Sequence, residues 1–163
     1  KWKWGNFDKV DTHINSSYAP ALQAMQLSMR RSAMNFIQQG ERQKAVDIAD
    51  KYFEAFPDFN FEFGYSTSFI LEIYWQAQAW DKALPYMETL AQNTDDWLDY
   101  FDSLDEDVLL SSYQTEYQRA VATIRNLLNA ARRSGDDALR QRMESLLANH
   151  LYLVDQGQQG LPG

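Results

Sequence analysis

Cysteine is absent from the chain. Disulfide frameworks, thiolate zinc sites and cysteine nucleophiles are therefore excluded, and the absence suits a reducing or an oxidising compartment equally. Histidine occurs only as His13 and His150, near opposite ends of the sequence. Glycine (7) and proline (4) are scarce, and strict alternation of apolar and polar residues is nearly missing. Basic residues are outnumbered, 15 Lys and Arg against 23 Asp and Glu, for a formal net charge of −8. A surface this acidic repels phosphate backbones and anionic lipid, so neither a nucleic-acid partner nor basic-patch docking on a membrane is expected. No apolar run approaches the roughly 18 residues of a membrane span. The richest stretch, residues 69–79, is interrupted by Glu72, Gln76 and Gln78. The chain opens on Lys1 with no signal-like apolar segment behind it. That opening suggests a piece cut from a longer protein, or a processed form. What remains is 163 residues, 45% apolar and 14% aromatic, the composition of a folded globular chain with a sizeable core.

Long segments repeat apolar residues every three or four positions, which is the helical period. Residues 1–17 lack it and read as an extended leader. Pro20 suits a first helical turn, and Leu22, Met25, Met29, Ala33 and Phe36 follow until Gly40 stops the helix. A second helix carries Ala45, Ile48, Ala49, Tyr52, Phe53 and Phe56, closed by Pro57. A Phe-rich loop spans 57–64. A third helix carries Phe69, Ile70, Ile73, Tyr74 and Ala77. A fourth starts near the N-cap type Asp81, carries Ala83, Met87, Leu90 and Ala91, and is expected to be mildly irregular at Pro85. Residues 95–104 read as a short acidic segment of their own. Tyr113, Tyr117, Val121, Ile124 and Leu128 mark a long helix ending at Ser134-Gly135. Leu139, Met143, Leu146, His150 and Val154 mark the last. Residues 156–163 read as a disordered tail.

The helix pairs repeat. Phe36-Ile37-Gln38 precedes Lys44-Ala45 as Tyr74-Trp75-Gln76 precedes Lys82-Ala83, both at an offset of 38 residues. This resembles the tetratricopeptide repeat, with Phe36 and Tyr74 at its aromatic marker, Ala45 and Ala83 at its small position, and Pro57 at its terminal proline. Met29, Ser32 and Ala33 replace the usual Trp and Leu-Gly markers. The expected architecture is all-α: a tetratricopeptide-like antiparallel stack of two repeats plus a C-terminal helical hairpin over 18–155. Another antiparallel bundle is the alternative. Such stacks expose a concave face suited to a protein or peptide partner.

Recognisable chemistry is sparse. His150 falls on an apolar helical face and reads as a core histidine. His13 lies in the leader. The seven acids from Asp95 to Asp107 include no turning glycine and do not match a calcium loop. They read as a solvated face, and no metal or cofactor is expected. Gly64-Tyr65-Ser66-Thr67-Ser68 lacks the last glycine of a nucleophile elbow. No catalytic residue is therefore proposed. Asn15-Ser16-Ser17 matches a glycosylation sequon weakly. Trp75, Trp80, Tyr86 and Trp97 are the candidate binding residues, with Tyr100 and Phe101 nearby. Packing is the ordinary use of such rings, and a ledge for peptide or sugar the functional one. Trp2 and Trp4 flank Lys3, an alternation that suits the side of a membrane interface or, equally, a clamp on the helical stack.

Several features occur in order: Trp4-Gly5-Asn6 with Asp8 and Asp11, Arg30-Arg31, Gln39-Gly40-Glu41-Arg42-Gln43-Lys44-Ala45, Phe56-Pro57, Ile73-Tyr74, Asp81-Lys82-Ala83 and Tyr100-Phe101-Asp102-Ser103-Leu104. The set is similar to the C-terminal region of a bacterial family of multi-spanning membrane proteins of unknown function. The membrane half of that family resembles the protein O-mannosyltransferases. Trp80 departs from the family's usual Gly-Glu turn. The resemblance implies a tetratricopeptide-like accessory domain, attached to a membrane domain on the periplasmic side of a Gram-negative inner membrane. The catalytic acids would belong to the membrane half, so none is carried onto this chain. A freestanding helical-repeat protein that binds glycan at the cell surface is the alternative.

Overall fold

The computed structural model describes residues 16–151. The readings for Trp2, Trp4, His13, Val154 and residues 156–163 lie outside the described residues. Among the described residues there is no strand, and the fold is all-α. Helices of ten residues or more are α1 (Ala19–Gln38), α2 (Arg42–Ala55), α3 (Ser68–Ala77), α4 (Trp80–Asp102), α6 (Gln114–Ser134) and α7 (Asp137–Leu146), with a single turn α5 (Glu106–Val108) before α6. Helical structure begins earlier than the leader reading allowed, with a 3-10 turn at Ser16–Tyr18 running into α1. The described residues divide into two compact units, with the boundary between Ala83 and Leu84 inside α4. None of the described helices is long and apolar enough to cross a membrane.

In the first unit, α1 packs on α2 and α3, and α2 on α3. Three small residues, Ala33, Ala45 and Ala49, are fully buried, so backbones approach closely there. Around them lie Tyr52, Phe53, Ile70, Leu71, Ile73 and Tyr74. Phe53 and Tyr74 stack nearly parallel, 5.9 Å apart, which joins α2 to α3. Burying each large apolar side chain contributes about 1.5–3 kcal/mol, so these contacts outweigh the surface ion pairs. The Phe-rich loop folds back on α2: Phe61 meets Phe56 and Phe63 meets Phe53. Asp58 Oδ1 accepts the Phe63 amide at 2.7 Å, which fixes that return. In α1 the expected stripe is correctly placed, but Leu22, Met25, Met29 and Phe36 are only half-buried. The buried residue in its first half is Gln26, whose Nε2 donates to Tyr52 Oη at 2.6 Å.

The 38-residue repeat extends to the backbone. Glu41 N donates to Phe36 O at 2.8 Å, and Ala79 N donates to Tyr74 O at 2.9 Å. Gly40 N donates to Ile37 O at 3.0 Å, and Gln78 N donates to Trp75 O at 3.2 Å. Both turns pass through the left-handed region, at φ 79° for Gly40 and 63° for Gln78. These are helix C-terminal closures of the Schellman type. Glycine adopts that conformation without strain, whereas an L side chain loses about 1–2 kcal/mol there. Gln78 returns one exposed bond, accepting from Arg42 Nη1 at 2.8 Å. Gln78→Gly is therefore expected to stabilise the fold by about 1 kcal/mol, read as an upward shift of the denaturant midpoint. A fall would show that the Arg42 contact outweighs backbone strain.

The helix that contains the boundary, α4, differs from the sequence reading in two ways. It starts at Trp80, which leaves Asp81 in the first turn rather than at the cap. It also runs unbroken past Pro85 to Asp102, so the acidic segment is its last part rather than a separate element. The buried stripe passes from Leu90 and Ala91 through Thr94 to Leu98 and Phe101. A polar residue can lie on that stripe because Thr94 Oγ1 donates to Leu90 O at 2.6 Å. After α5, a π-helical turn at Leu109–Tyr113 leads into α6. Gly135, at φ 73°, ends α6. Asp136 then caps α7, its side chain accepting from the amides of Ala138 and Leu139. α6 packs on α7. The last helix stops at Leu146, and a 3-10 turn follows at Ala148–His150. That change buries Leu147 where the period had placed Leu146.

Candidate functional site

The last three turns of α4 present two kinds of side chain on neighbouring faces. Asp95, Asp99 and Asp102 stand at i, i+4 and i+7, one stripe of the helix. They surround His150, which is 1% exposed. His150 Nε2 lies 3.1 Å from Asp99 Oδ1 and 3.4 Å from Asp95 Oδ1. Its Nδ1 lies 3.6 Å from Asp102 Oδ2. Burial pushes the Asp95 carboxyl above the ordinary carboxylate range, His150 opposes that, and Asp99 and Asp96 reinforce it. The imidazole sits inside the fold, as its place in the apolar period implies, and is closed to a substrate. Among the described residues no group of His, Asp and Glu is arranged to hold a metal ion. The reading of these acids as a uniform solvated face missed the three that turn to His150. The signal was the 4, 3 spacing of Asp95, Asp99 and Asp102, but their partner lies some fifty residues away.

The adjacent face is aromatic. Trp97 and Tyr100 are 43% and 42% exposed, while Phe101 beneath them is buried. Trp97 stacks on Phe101 with centroids 5.6 Å apart, and meets Tyr100 edge-on at 5.9 Å. Tyr113 touches both Tyr100 and Phe101, and Tyr117 touches Phe101. The Tyr100 hydroxyl is within 3.4 Å of that of Tyr113, and this contact raises its pKa above the ordinary tyrosine value. Burial, with the nearby Asp102 charge, does the same for Tyr117. The result is a packed set of rings in which Trp97 and Tyr100 are partly exposed.

The four residues expected to form a ledge differ in exposure. Trp75 is 7% exposed and belongs to the core of the first unit, so it offers no stacking face. Trp80 is half-buried in the same unit. Tyr86 is half-buried and Trp97 exposed, both in the second unit. Sequence reading missed Tyr113 and Tyr117, which reach Phe101 only because the chain turns back after α4.

The polar links of the first unit hold helices together rather than make a site. Asp50, on α2, accepts from Tyr74 Oη at 2.7 Å and pairs with Lys82 Nζ at 2.5 Å. Arg30, on α1, pairs with Glu72, on α3, at 2.6 Å. Lys44 lies over the Phe36 ring at 5.4 Å, one repeat before the Lys82 position. No protein-family model, curated protein or solved structure matches the chain.

Proposed function

We propose that this chain is an accessory protein-interaction domain of a membrane glycosyltransferase resembling the protein O-mannosyltransferases, and that it performs no chemistry itself. The observation that carries the interaction reading is the repeated helix pair: two turns 38 residues apart with the same backbone bonds, each followed by a fully buried alanine. Helix pairs that stack in the tetratricopeptide manner leave a concave face for a protein or peptide. The membrane parent and the periplasmic location rest on the ordered motifs from Trp4-Gly5-Asn6 to Tyr100-Phe101-Asp102-Ser103-Leu104. The seclusion of His150, the one described histidine, supports the non-catalytic reading.

A second reading, a freestanding glycan-binding protein of the cell surface, is favoured by the exposed rings of Trp97 and Tyr100, since sugars stack on such faces. The two separate on mixing the purified chain with a lipid-linked sugar donor and an acceptor peptide, and on titrating it with free oligosaccharide. The accessory-domain reading expects no transfer and no saturable glycan binding. Sugar transfer by the chain alone overturns it, and saturable glycan binding moves the assignment to the second reading.

A further inference from the structure

We infer that the aromatic face of α4 at Trp97 and Tyr100 is a docking surface for an extended peptide segment bearing Lys or Arg. The inference rests on reading the chain as an interaction domain, and it names the partner's chemistry.

Three observations converge. First, the rings are exposed yet held: Trp97 and Tyr100 lie against buried Phe101, and Tyr113 braces Tyr100. Rings fixed by packing lose little entropy on contact. Second, Val108 and Leu110 in the same unit are exposed as well. Third, the sequence around them carries charge of one sign. From Ala83 to Gln118 there is no Lys or Arg; Glu88 is taken up by Arg142, and Asp95, Asp99 and Asp102 face His150, which leaves Asp96, Asp105, Glu106, Asp107 and Glu116 as the further acids of that stretch. Asp96 stands one turn before Tyr100, on its side of the helix, and Asp96, Glu106 and Asp107 are exposed.

Negative charge bordering aromatic faces selects a cation. A guanidinium or ammonium over Trp or Tyr is attracted by the ring quadrupole, and the flanking carboxylates add pairing and faster encounter. A neutral sugar would use the rings and leave the charge idle. An acidic segment would be repelled. An extended peptide suits the surface because its alternate residues place a cation on each ring in turn.

The test is fluorescence anisotropy of a short labelled peptide alternating Arg and Ser, titrated with the full chain. Saturable binding is expected, weakening markedly when salt is raised to about 0.3 M because the exposed charges are screened. Trp97→Ala should weaken binding roughly tenfold or more, as loss of an aromatic anchor does. The double variant Asp96→Lys with Glu106→Lys changes only exposed carboxylates and leaves the ring residues themselves unaltered. It should weaken binding to a similar degree, and circular dichroism should confirm its helical content. Absence of saturable binding overturns the inference, as does oligomannose binding more tightly than the Arg peptide. Binding that changes less than about twofold in both variants also overturns it, because the peptide then sits elsewhere; that outcome leaves the interaction-domain reading standing. The broader reading fails on a different result, sugar transfer by the chain alone.

Discussion

Ala45→Leu and Ala83→Leu should each lower the unfolding free energy by about 1–3 kcal/mol, the usual cost of forcing extra methylenes into a packed interior. Both alanines are fully buried. Each follows its helix-closing turn at the same distance, with Ala45 N bonded to Glu41 O and Ala83 N bonded to Ala79 O. The packing of α1 on α2 cannot widen at Ala45 without also disturbing Ala33 and Ala49, which are fully buried in the same unit. A control at exposed Gln76, changed to Leu, should stay within about 0.5 kcal/mol of the parent. Urea unfolding of the three variants checks this. Alanine variants no less stable than the control would show that the small position has been misplaced. A loss at Ala45 alone would show that the repeat fails in its second copy.

A second large effect should appear in alkali. Burial pushes the Tyr52 hydroxyl from 10.0 to about 12, partly offset by its hydrogen bond from Gln26. The folded state therefore keeps a proton that the unfolded chain has already lost. Stability from this group is complete below about pH 10 and is lost as pH rises through about 12. At about 1.36 kcal/mol per pH unit, the loss is on the order of 2–3 kcal/mol. Tyr52→Phe removes the titration but leaves buried Gln26 Nε2 without its partner, costing about 1–3 kcal/mol at neutral pH. The stability curves of parent and variant should accordingly converge or cross between pH 10 and 12. Parallel curves would mean that Tyr52 ionises without resistance, contrary to its burial.

The helices were legible where one apolar stripe ran between clear stops. Gly40, Pro57 and Gly135 lie just beyond the ends of α1, α2 and α6, and their backbone chemistry marks those ends in any context. The continuity of α4 was not legible, because Thr94 on the stripe looks polar until its hydroxyl is seen returning to Leu90 O. The left-handed turn at Gln78 was hidden for a related reason: glutamine does not advertise that conformation, and only the offset to Gly40 reveals it. The site was less legible than the fold. Aromatic residues are common to cores and ledges, so residue type alone could not place Trp75 inside and Trp97 outside. The His150 cluster depends on a contact between α4 and the final 3-10 turn. Local periodicity carries no information about such a pairing.

That this helical chain is the appended part of a membrane glycosyltransferase is a proposal. It is tested most directly by sequencing the gene upstream of the codon for Lys1. The account predicts a continuous reading frame encoding several apolar spans of about 20 residues each, the last of them ending shortly before the Lys-Trp leader. A lipoprotein or secretion signal placed immediately before Lys1, with no such spans, would contradict the account and support the surface glycan-binding reading instead.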